Sequence, residues 1–245
     1  MSRLIILALS IFGIILTHLP AAANKRPVVL ELVLAVDTST SVDKYEFNLQ
    51  REGLARAFEH PDIVSVIQGM GNTGIAVTLV EWAGRAQQAH IVDWSLLNSE
   101  SSSLQFASRV RAAPRAFEGM TAIGNVIEFA TASIAGNRFE GARKVIDVSG
   151  DGTSNTSDTA IQRDRAVNLG ITINGLVIFQ REKEYDLGEL AEIDLLHHFT
   201  NQVIGGDGAF LMTARSFEDF EVAIRNKLLR EILGIATANL DRVIQ

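Results

Sequence analysis

Side chains able to bind a hard cation occur in three polar segments of the sequence, each beside a predicted strand end or helix start. The loop at residues 37–41 has the spacing D-x-S-x-S, and a threonine and an aspartate follow glycines in two later loops. Two carboxylates and three hydroxyls form an all-oxygen set, which suits Mg²⁺, a cation that also keeps water ligands. The candidate metal ligands are Asp37, Ser39, Ser41, Thr121 and Asp151.

Two other interpretations of the loop at residues 37–41 compete with metal binding. Serine and threonine often cap the helix that follows them. Residues 35–39 (AVDTS) also resemble the Asp-Thr-Gly/Ser loop of aspartic proteases, in which two such carboxylates share a proton. A hydrolase of that kind needs a second copy of the motif, or a homodimer, in an all-β fold. The sequence has no second Asp-Thr-Gly/Ser motif, and a helical pattern follows Asp37 closely, so a hydrolase is the weaker alternative.

Alternating strand and helix patterns must position these side chains. Residues 28–36 (VVLELVLAV) are a continuous apolar run, as in a strand covered on both faces, and Asp43 with Glu46 forms a capping-box pattern that starts a helix. Later strands are predicted at 75–83, 89–96, 144–148, 171–179 and 209–212, and later helices at 104–112, 122–134, 157–169, 187–199 and 217–233. This order predicts a three-layer, doubly wound α/β fold with a mostly parallel sheet. The short connection between 75–83 and 89–96 predicts one antiparallel edge strand.

In doubly wound sheets, ligands bind beyond the carboxyl ends of the strands, where the winding reverses. The D-x-S-x-S loop, the later threonine and the later aspartate, on this element order, resemble the metal-ion-dependent adhesion site of von Willebrand factor type A domains. The resemblance covers about residues 28–233, and the stretches RKVIDVSGDG, GITINGLVI and VIGGDGAF resemble a group of exported bacterial members of that superfamily.

The resemblance implies a Rossmann-like fold and a role for each candidate ligand. In that family the two serines and the threonine contact the metal, the two aspartates act directly or through water, and an open coordination position accepts a carboxylate from a partner. The implied function is an adhesion-type module that binds a protein partner through Mg²⁺, with Mn²⁺ and Ca²⁺ as alternatives, and that is not an enzyme. A second alternative is a structural domain whose metal site does not function.

The N-terminus predicts export. Arg3 precedes an apolar run at residues 4–16, and small residues at 20–23 suit signal peptidase, so residues 1–23 are predicted to be a signal peptide cleaved after Ala23. The run is shorter than the ~20 apolar residues of a spanning helix. The expected product is a single periplasmic or secreted domain, residues 24–245, without a membrane span.

Composition limits the class of partner. Lys and Arg number 22 against 29 Asp and Glu, giving a net charge of -7, which argues against nucleic acid as a partner. With zero cysteines, disulfides and thiolate zinc sites are excluded.

Four weaker features receive mostly structural interpretations. Residues 69–74 match G-x-G-x-x-G but precede a strand, which predicts a turn rather than a dinucleotide site. His197 and His198 are adjacent and therefore face different directions on a helix. Asp147 lies inside an apolar strand, so it requires a partner, and the sequence favours a structural pairing over direct binding of metal. Glu81 and Asn155 are weak candidates for the rim of the site.

Overall fold

The computed structural model describes residues 24–156, 158–179 and 188–234, so the predicted signal peptide lies outside the described residues. The sheet contains β1 (Arg26–Asp37), β2 (Ile75–Trp82), β3 (Gln88–Leu97), β4 (Phe139–Gly150), β5 (Thr172–Ile178) and β6 (Leu211–Ala214). The helices are α1 (Lys44–Glu59), α2 (Pro61–Gly69), α3 (Glu100–Ala112), α4 (Ile123–Gly136), α5 (Thr159–Asn168), α6 (Gly188–His198), which continues into a π-helical turn (Phe199–Val203), and α7 (Phe220–Leu233).

The strand order is β3-β2-β1-β4-β5-β6, and every neighbouring pair is parallel except β2 with β3. The predicted doubly wound, mostly parallel sheet with one antiparallel edge strand is therefore confirmed. From β1 the chain winds outward to β2 and β3, and it then returns to β4 on the other side of β1. The winding thus reverses between β1 and β4, where Val36 pairs with Ser149. This reversal brings the loops after the two strands to one place.

Side-chain alternation along β1 divides the core into two layers. Leu30, Leu32 and Leu34 pack in one cluster with side chains of α1, α2, α3 and α7. Val33 and Ala35 face the opposite cluster, with side chains of α4, α5 and the π-helical turn. Burial on both faces explains the continuous apolar run that the sequence shows, and it gives the predicted three layers.

The first helix begins as predicted. Asp43 accepts hydrogen bonds from the backbone of Tyr45 and Glu46, while the Glu46 carboxylate accepts one from Asp43 N, which completes the capping box. Sequence patterns missed α2. Its start has two recognisable signals, since the His60 side chain accepts a hydrogen bond from Asp62 N and Pro61 is the first helical residue.

Strand β4 is longer than predicted, because it pairs with β1 from Arg26 opposite Phe139 onward, through charged residues that the apolar pattern does not mark. Among the described residues, none of the helices has the length and apolar character needed to cross a membrane.

Candidate metal centre

Asp37 is the last residue of β1, and its carboxyl group is completely buried. Its Oδ1 accepts a hydrogen bond from Ser39 N at 2.7 Å, which folds the start of the loop around the carboxylate. Gln50 Nε2, on α1, donates to the backbone oxygen of Asp37 at 3.2 Å. Asp37 Oδ2, in contrast, is buried without a hydrogen-bond partner among the described residues. A buried carboxylate oxygen in this state requires a proton or a cation.

The loop after β1 meets the turn after β4. Ser39 Oγ and Ser41 Oγ lie 3.0 Å apart, and Ser41 Oγ donates to Asp151 Oδ1 at 2.7 Å, across 110 residues of sequence. Four of the five predicted ligands therefore lie in one connected group at the point where the winding reverses.

Thr121, the fifth predicted ligand, lies between Gly119 and α4, beside the turn that carries Asp151. Thr121 N donates to Asn155 Oδ1, and Asn155 N donates to Thr121 O, each at 2.7 Å. A Cβ atom added to Gly152 would lie 3.7 Å from Thr121 Oγ1 and 3.9 Å from Thr121 Cγ2, so the threonine side chain lies beside that turn. Asn155, a weak rim candidate from sequence, thus binds the backbone of the threonine loop.

The other two hydroxyls of the D-x-S-x-S loop have structural partners. Thr38 Oγ1 donates to Trp82 O at 3.2 Å, and Thr40 Oγ1 donates to Gly119 O at 3.0 Å. These bonds fix the loop to the end of β2 and to the segment before Thr121. In contrast, Ser41 Oγ contacts Asp151, and Ser39 Oγ contacts Ser41 Oγ. Because Asp43 caps α1, the helix-cap interpretation of the loop serines does not hold.

Arg115 stabilises the backbone of the D-x-S-x-S loop. The sequence did not predict this role. Its Nη2 donates to three backbone oxygens of the loop, those of Thr38 (2.8 Å), Ser39 (3.0 Å) and Val42 (2.8 Å). Its Nε donates to Phe117 O at 2.9 Å. An arginine in a loop after a proline carries no distinctive sequence signal, so the clamp becomes visible only in the fold.

Glu81 supports the segment that carries Arg115 rather than lining the rim. The side chain is buried, and its Oε2 accepts a hydrogen bond from Ala116 N at 2.7 Å. Burial raises the pKa of Glu81 above its ordinary value, although the bond to Ala116 opposes that effect.

Electrostatics favour a cation beside Asp37. Burial, and then the negative charge of Asp151, raise the pKa of Asp37 to about 8. Hydrogen bonds from Ser39 and the charge of Arg115 only partly offset these effects. A divalent cation would supply the positive charge that the two carboxylates lack.

The donor chemistry fits a hard cation. The buried, unpartnered Asp37 Oδ2 and the neighbouring hydroxyls offer only oxygen ligands, as Mg²⁺ prefers. Within the described ranges, His, Cys, Asp and Glu form no group of three or more that could hold a metal. Any metal at this position therefore depends on serine and threonine hydroxyls.

The remaining sequence features have structural roles. His198 Nε2 accepts a hydrogen bond from Ser154 N at 3.1 Å, which ties α6 to the segment after Asp151, and burial lowers the pKa of His198. Gly69 ends α2, and residues 70–74 form the turn before β2, where Gly71 and Gly74 have positive φ. Asp147 forms a buried ion pair with Lys227 and points away from the candidate metal ligands into the α7 interface.

Comparison with protein families identifies the chain. The family model described as "Protein of unknown function (DUF1194)" matches residues 27–236, and the chain therefore belongs to this family. No curated protein matches the chain.

Solved structures share the fold. Proximal thread matrix protein 1 from the mussel byssus aligns with a TM-score of 0.60 at 14% identity, over 85% of this chain and 49% of that one. The pilus adhesin SpaC from Lactobacillus rhamnosus GG gives 0.60 at 15% identity, over 86% and 31%. A von Willebrand factor type A structure from Catenulispora acidiphila gives 0.51 at 14% identity, over 84% and 43%. The chain thus spans about half or less of these proteins, and at such identities the likeness shows a von Willebrand factor type A fold.

Proposed function

We propose, with membership of the DUF1194 family and the von Willebrand factor type A fold as the premise, that this protein is an exported adhesion-type binding module. In this proposal a divalent cation, most favourably Mg²⁺, is held by the candidate ligands and captures an acidic group of a protein partner. The observation that carries the proposal is the contact between Ser41 and Asp151, which joins the D-x-S-x-S loop to the turn after β4. The proposed ligands are Asp37, Ser39, Ser41, Thr121 and Asp151.

The ligand set favours binding of an anion. Hydroxyl oxygens are neutral, so a divalent cation that contacts the three hydroxyls, with one or both aspartates acting through water, keeps positive charge for an incoming carboxylate oxygen. A chain with a net charge of -7 can in this way bind an acidic partner that its surface would otherwise repel.

In this proposal each of the residues around the cation has a separate role in binding. Buried Asp37 provides a carboxyl group in a fixed position at the end of β1, and Arg115 holds the backbone from which Ser39 projects. Asp151 and the segment before Thr121 are already hydrogen-bonded to the loop after β1, through Ser41 and through Thr40 with Gly119. Such preorganisation lowers the entropic cost of binding, because few side chains must be ordered when the cation and the partner arrive.

Two observations from outside the chain are consistent with this proposal. A structure of the mussel byssus protein is described as having a zinc occupied MIDAS motif, and its fold is shared at a TM-score of 0.57. SpaC is described as a pilus adhesin. Mg²⁺, with Mn²⁺ or Ca²⁺ as substitutes, remains our proposal for this chain.

Calorimetric titration with Mg²⁺ and Mn²⁺ tests the metal site. Wild type is expected to bind one cation, while Asp37→Ala and Asp151→Ala bind at least tenfold more weakly. Asp93→Ala is the matched control, since Asp93 is an exposed aspartate on β3. Circular dichroism verifies that each variant is folded. Equal heats for all four proteins would overturn the metal site and leave a structural domain with a non-functional site.

Capture from a fraction of exported proteins tests the partner. A band that wild type retains with Mg²⁺, loses with chelator, and that Asp151→Ala does not retain supports a partner bound through the cation. Retention that is unchanged by chelator contradicts it. Hydrolysis of casein at acid pH that Asp37→Ala abolishes would instead support the hydrolase.

A further inference from the structure

Ser133 and His90 form a second polar group, away from the candidate metal centre. Ser133 lies in the last turn of α4, and His90 lies on the edge strand β3. Ser133 Oγ is 3.1 Å from His90 Nε2, although 43 residues of sequence separate them. Since α4 begins beside Thr121 and rises 1.5 Å per residue, Ser133 lies about 15 Å along the helix from its start at the metal loops.

The hydrogen bonds around His90 fix which of its ring nitrogens carries the proton. Thr78 Oγ1 donates its single proton to Val92 O at 2.8 Å. The 2.9 Å contact between Thr78 Oγ1 and His90 Nδ1 therefore requires a proton on Nδ1, which in a neutral imidazole leaves Nε2 as an acceptor. Trp94 Nε1 can only donate, and it donates to Ser133 Oγ at 2.8 Å. It follows that the Ser133 hydroxyl donates to His90 Nε2.

A hydroxyl that donates to a neutral imidazole is the arrangement of a nucleophile with its general base. In such pairs the two heavy atoms lie about 2.6–3.2 Å apart, and a third group orients the base. Here Thr78 is the third group, because it holds His90 through Nδ1. Burial lowers the pKa of His90, and the charge of Asp93 only partly opposes this effect, so at pH 7 the imidazole is neutral and able to accept a proton.

The pair is partly open to solvent and has aromatic neighbours. Ser133, His90 and Trp94 are all half-buried. The Phe129 ring lies 5.1 Å from the His90 ring. Phe129 and Trp94 therefore offer apolar contact to a substrate that approaches Ser133 from the side of the edge strand.

We propose that Ser133 and His90 are the catalytic residues of an esterase site for small esters with an apolar acyl group. Ser133 Oγ attacks the carbonyl carbon and passes its proton to His90 Nε2. The bond from that carbon to the alcohol oxygen then breaks, and His90 gives the proton to the departing alcohol. Water, with His90 again as the base, cleaves the acyl-serine, which releases the carboxylic acid and restores the Ser133 hydroxyl. Thr78 is a positioning residue. This activity goes beyond the proposed binding function and needs no metal.

A fluorophosphonate probe, which forms a covalent bond with activated serines, tests the nucleophile in the full chain with chelator present. Mass spectrometry is expected to locate the label on Ser133 in wild type. His90→Gln is expected to slow labelling at least about hundredfold, because a general base contributes about 10²–10⁴ in rate. Ser95→Ala is the matched control and keeps the wild-type rate, since Ser95 is a half-buried serine of β3 whose hydroxyl donates to Asp93 O.

Two results of the labelling would overturn the proposal. The first is folded wild type without label on Ser133, a result that depends on no variant. The second is an equal labelling rate for wild type and folded His90→Gln, which would show that the imidazole does not activate the serine.

Release of 4-nitrophenol from 4-nitrophenyl acetate measures the esterase reaction itself. Wild type is expected to exceed Ser133→Ala at least about tenfold, and equal rates would overturn the activity. Thr78→Val keeps the shape of the side chain without its hydroxyl, and it is expected to slow both reactions about tenfold, as for the loss of one neutral hydrogen bond. Thr78→Ser is expected to restore the rates. A loss that Thr78→Ser shares would overturn the role of the hydroxyl in orienting His90.

Discussion

Lys227 Nζ lies 2.7 Å from Asp147 Oδ1, and this ion pair joins α7 to the interior of β4 with side chains that are 0% and 1% exposed. Lys227 Nζ also lies 2.6 Å from Glu231 Oε1, one helical turn later. Asn174, on β5, donates to the same carboxylate. The last helix is thus tied to the sheet by a charged network as well as by the apolar cluster that it shares with α1.

Replacing Lys227 with methionine is expected to destabilise the fold strongly. The change leaves two buried carboxyl groups, those of Asp147 and Glu231, without their cation. Removing one partner of a buried ion pair typically costs about 3–5 kcal/mol in the free energy of unfolding. Urea denaturation of wild type and variant measures this loss in the free energy of unfolding. Lys144→Met, which breaks the exposed pair with Glu140, is the control and is expected to cost under ~1 kcal/mol. Similar small losses for both variants would contradict a structural role for the buried network.

The same network predicts how stability changes with pH. Burial, and then the charge of Glu231, raise the pKa of Asp147 from 3.8 to about 7. Between these values the folded protein holds a proton that the unfolded chain releases, so this group's contribution to stability is present at low pH and is lost as pH rises toward 7. The free energy of unfolding falls by up to about 1.4 kcal/mol per pH unit from this group.

Asp147→Asn isolates that contribution. Urea denaturation of wild type and variant at about pH 5 and about pH 7, in chelator, gives the pH dependence of each. Titrating groups outside this network, Asp37 among them, are common to both proteins and cancel in the difference. The variant is expected to lose less stability than wild type between the two pH values, whereas parallel changes would show that Asp147 does not hold the proton.

Local sequence patterns were sufficient for the sheet, but not for this network. The apolar run of β1 and the alternation of strands with helices predict a doubly wound fold, because a strand that is buried on both faces is apolar at nearly every residue. Lys227 and Glu231 have the i, i+4 spacing typical of an exposed helical ion pair. Their burial follows from Asp147, 80 residues earlier in the sequence, and nothing local to α7 reveals it.

In the candidate metal centre, too, the sequence predicts some residues and not others. Residue type and spacing identified the five candidate ligands, since a hydroxyl-rich loop after a strand is visible in the sequence. Arg115 was missed because its partners are backbone oxygens, which every residue has. Short helix α2 was missed because its nine residues follow α1 after His60 alone, so the two helices share one pattern.

Arg115→Met is expected to weaken metal binding although Arg115 is not a proposed ligand. The change removes hydrogen bonds to the backbone oxygens of Thr38, Ser39 and Val42, so the loop that carries Ser39 loses its fixed shape. Hydrogen bonds to charged groups contribute about 1.5–3 kcal/mol each, and we expect a tenfold or greater loss of Mn²⁺ affinity.

Arg51→Met is the matched control for the clamp. Both arginines lie 5.5 Å from the Phe47 ring centroid, and Arg51 also donates to a backbone oxygen, that of Ala113. Only Arg115 contacts the D-x-S-x-S loop through these bonds. Calorimetry with Mn²⁺ on both variants, after their folding is verified, compares the two. Equal losses of affinity would assign the effect to packing around Phe47 rather than to the clamp.

The affinity of the proposed site for Mg²⁺ is expected to rise with pH. Burial and the charge of Asp151 raise the pKa of Asp37 to about 8 when no cation is present. A metal binds the deprotonated carboxylate, so below that pH it must displace a proton, and affinity falls by about tenfold per pH unit. Calorimetry in buffers of different ionisation enthalpy counts the released protons, with about one expected near pH 6.5.

Asp151→Asn provides the internal test of this cause. The variant removes the neighbouring negative charge but keeps a side chain of the same size, so the pKa of Asp37 falls toward its ordinary value while burial still raises it. Its Mg²⁺ affinity is expected to be lower than that of wild type at high pH. Its dependence on pH should level off at a lower pH, because Asp37 is then deprotonated earlier. If wild-type affinity is constant between about pH 6 and about pH 8 and no proton is released, the cation does not displace a proton from Asp37.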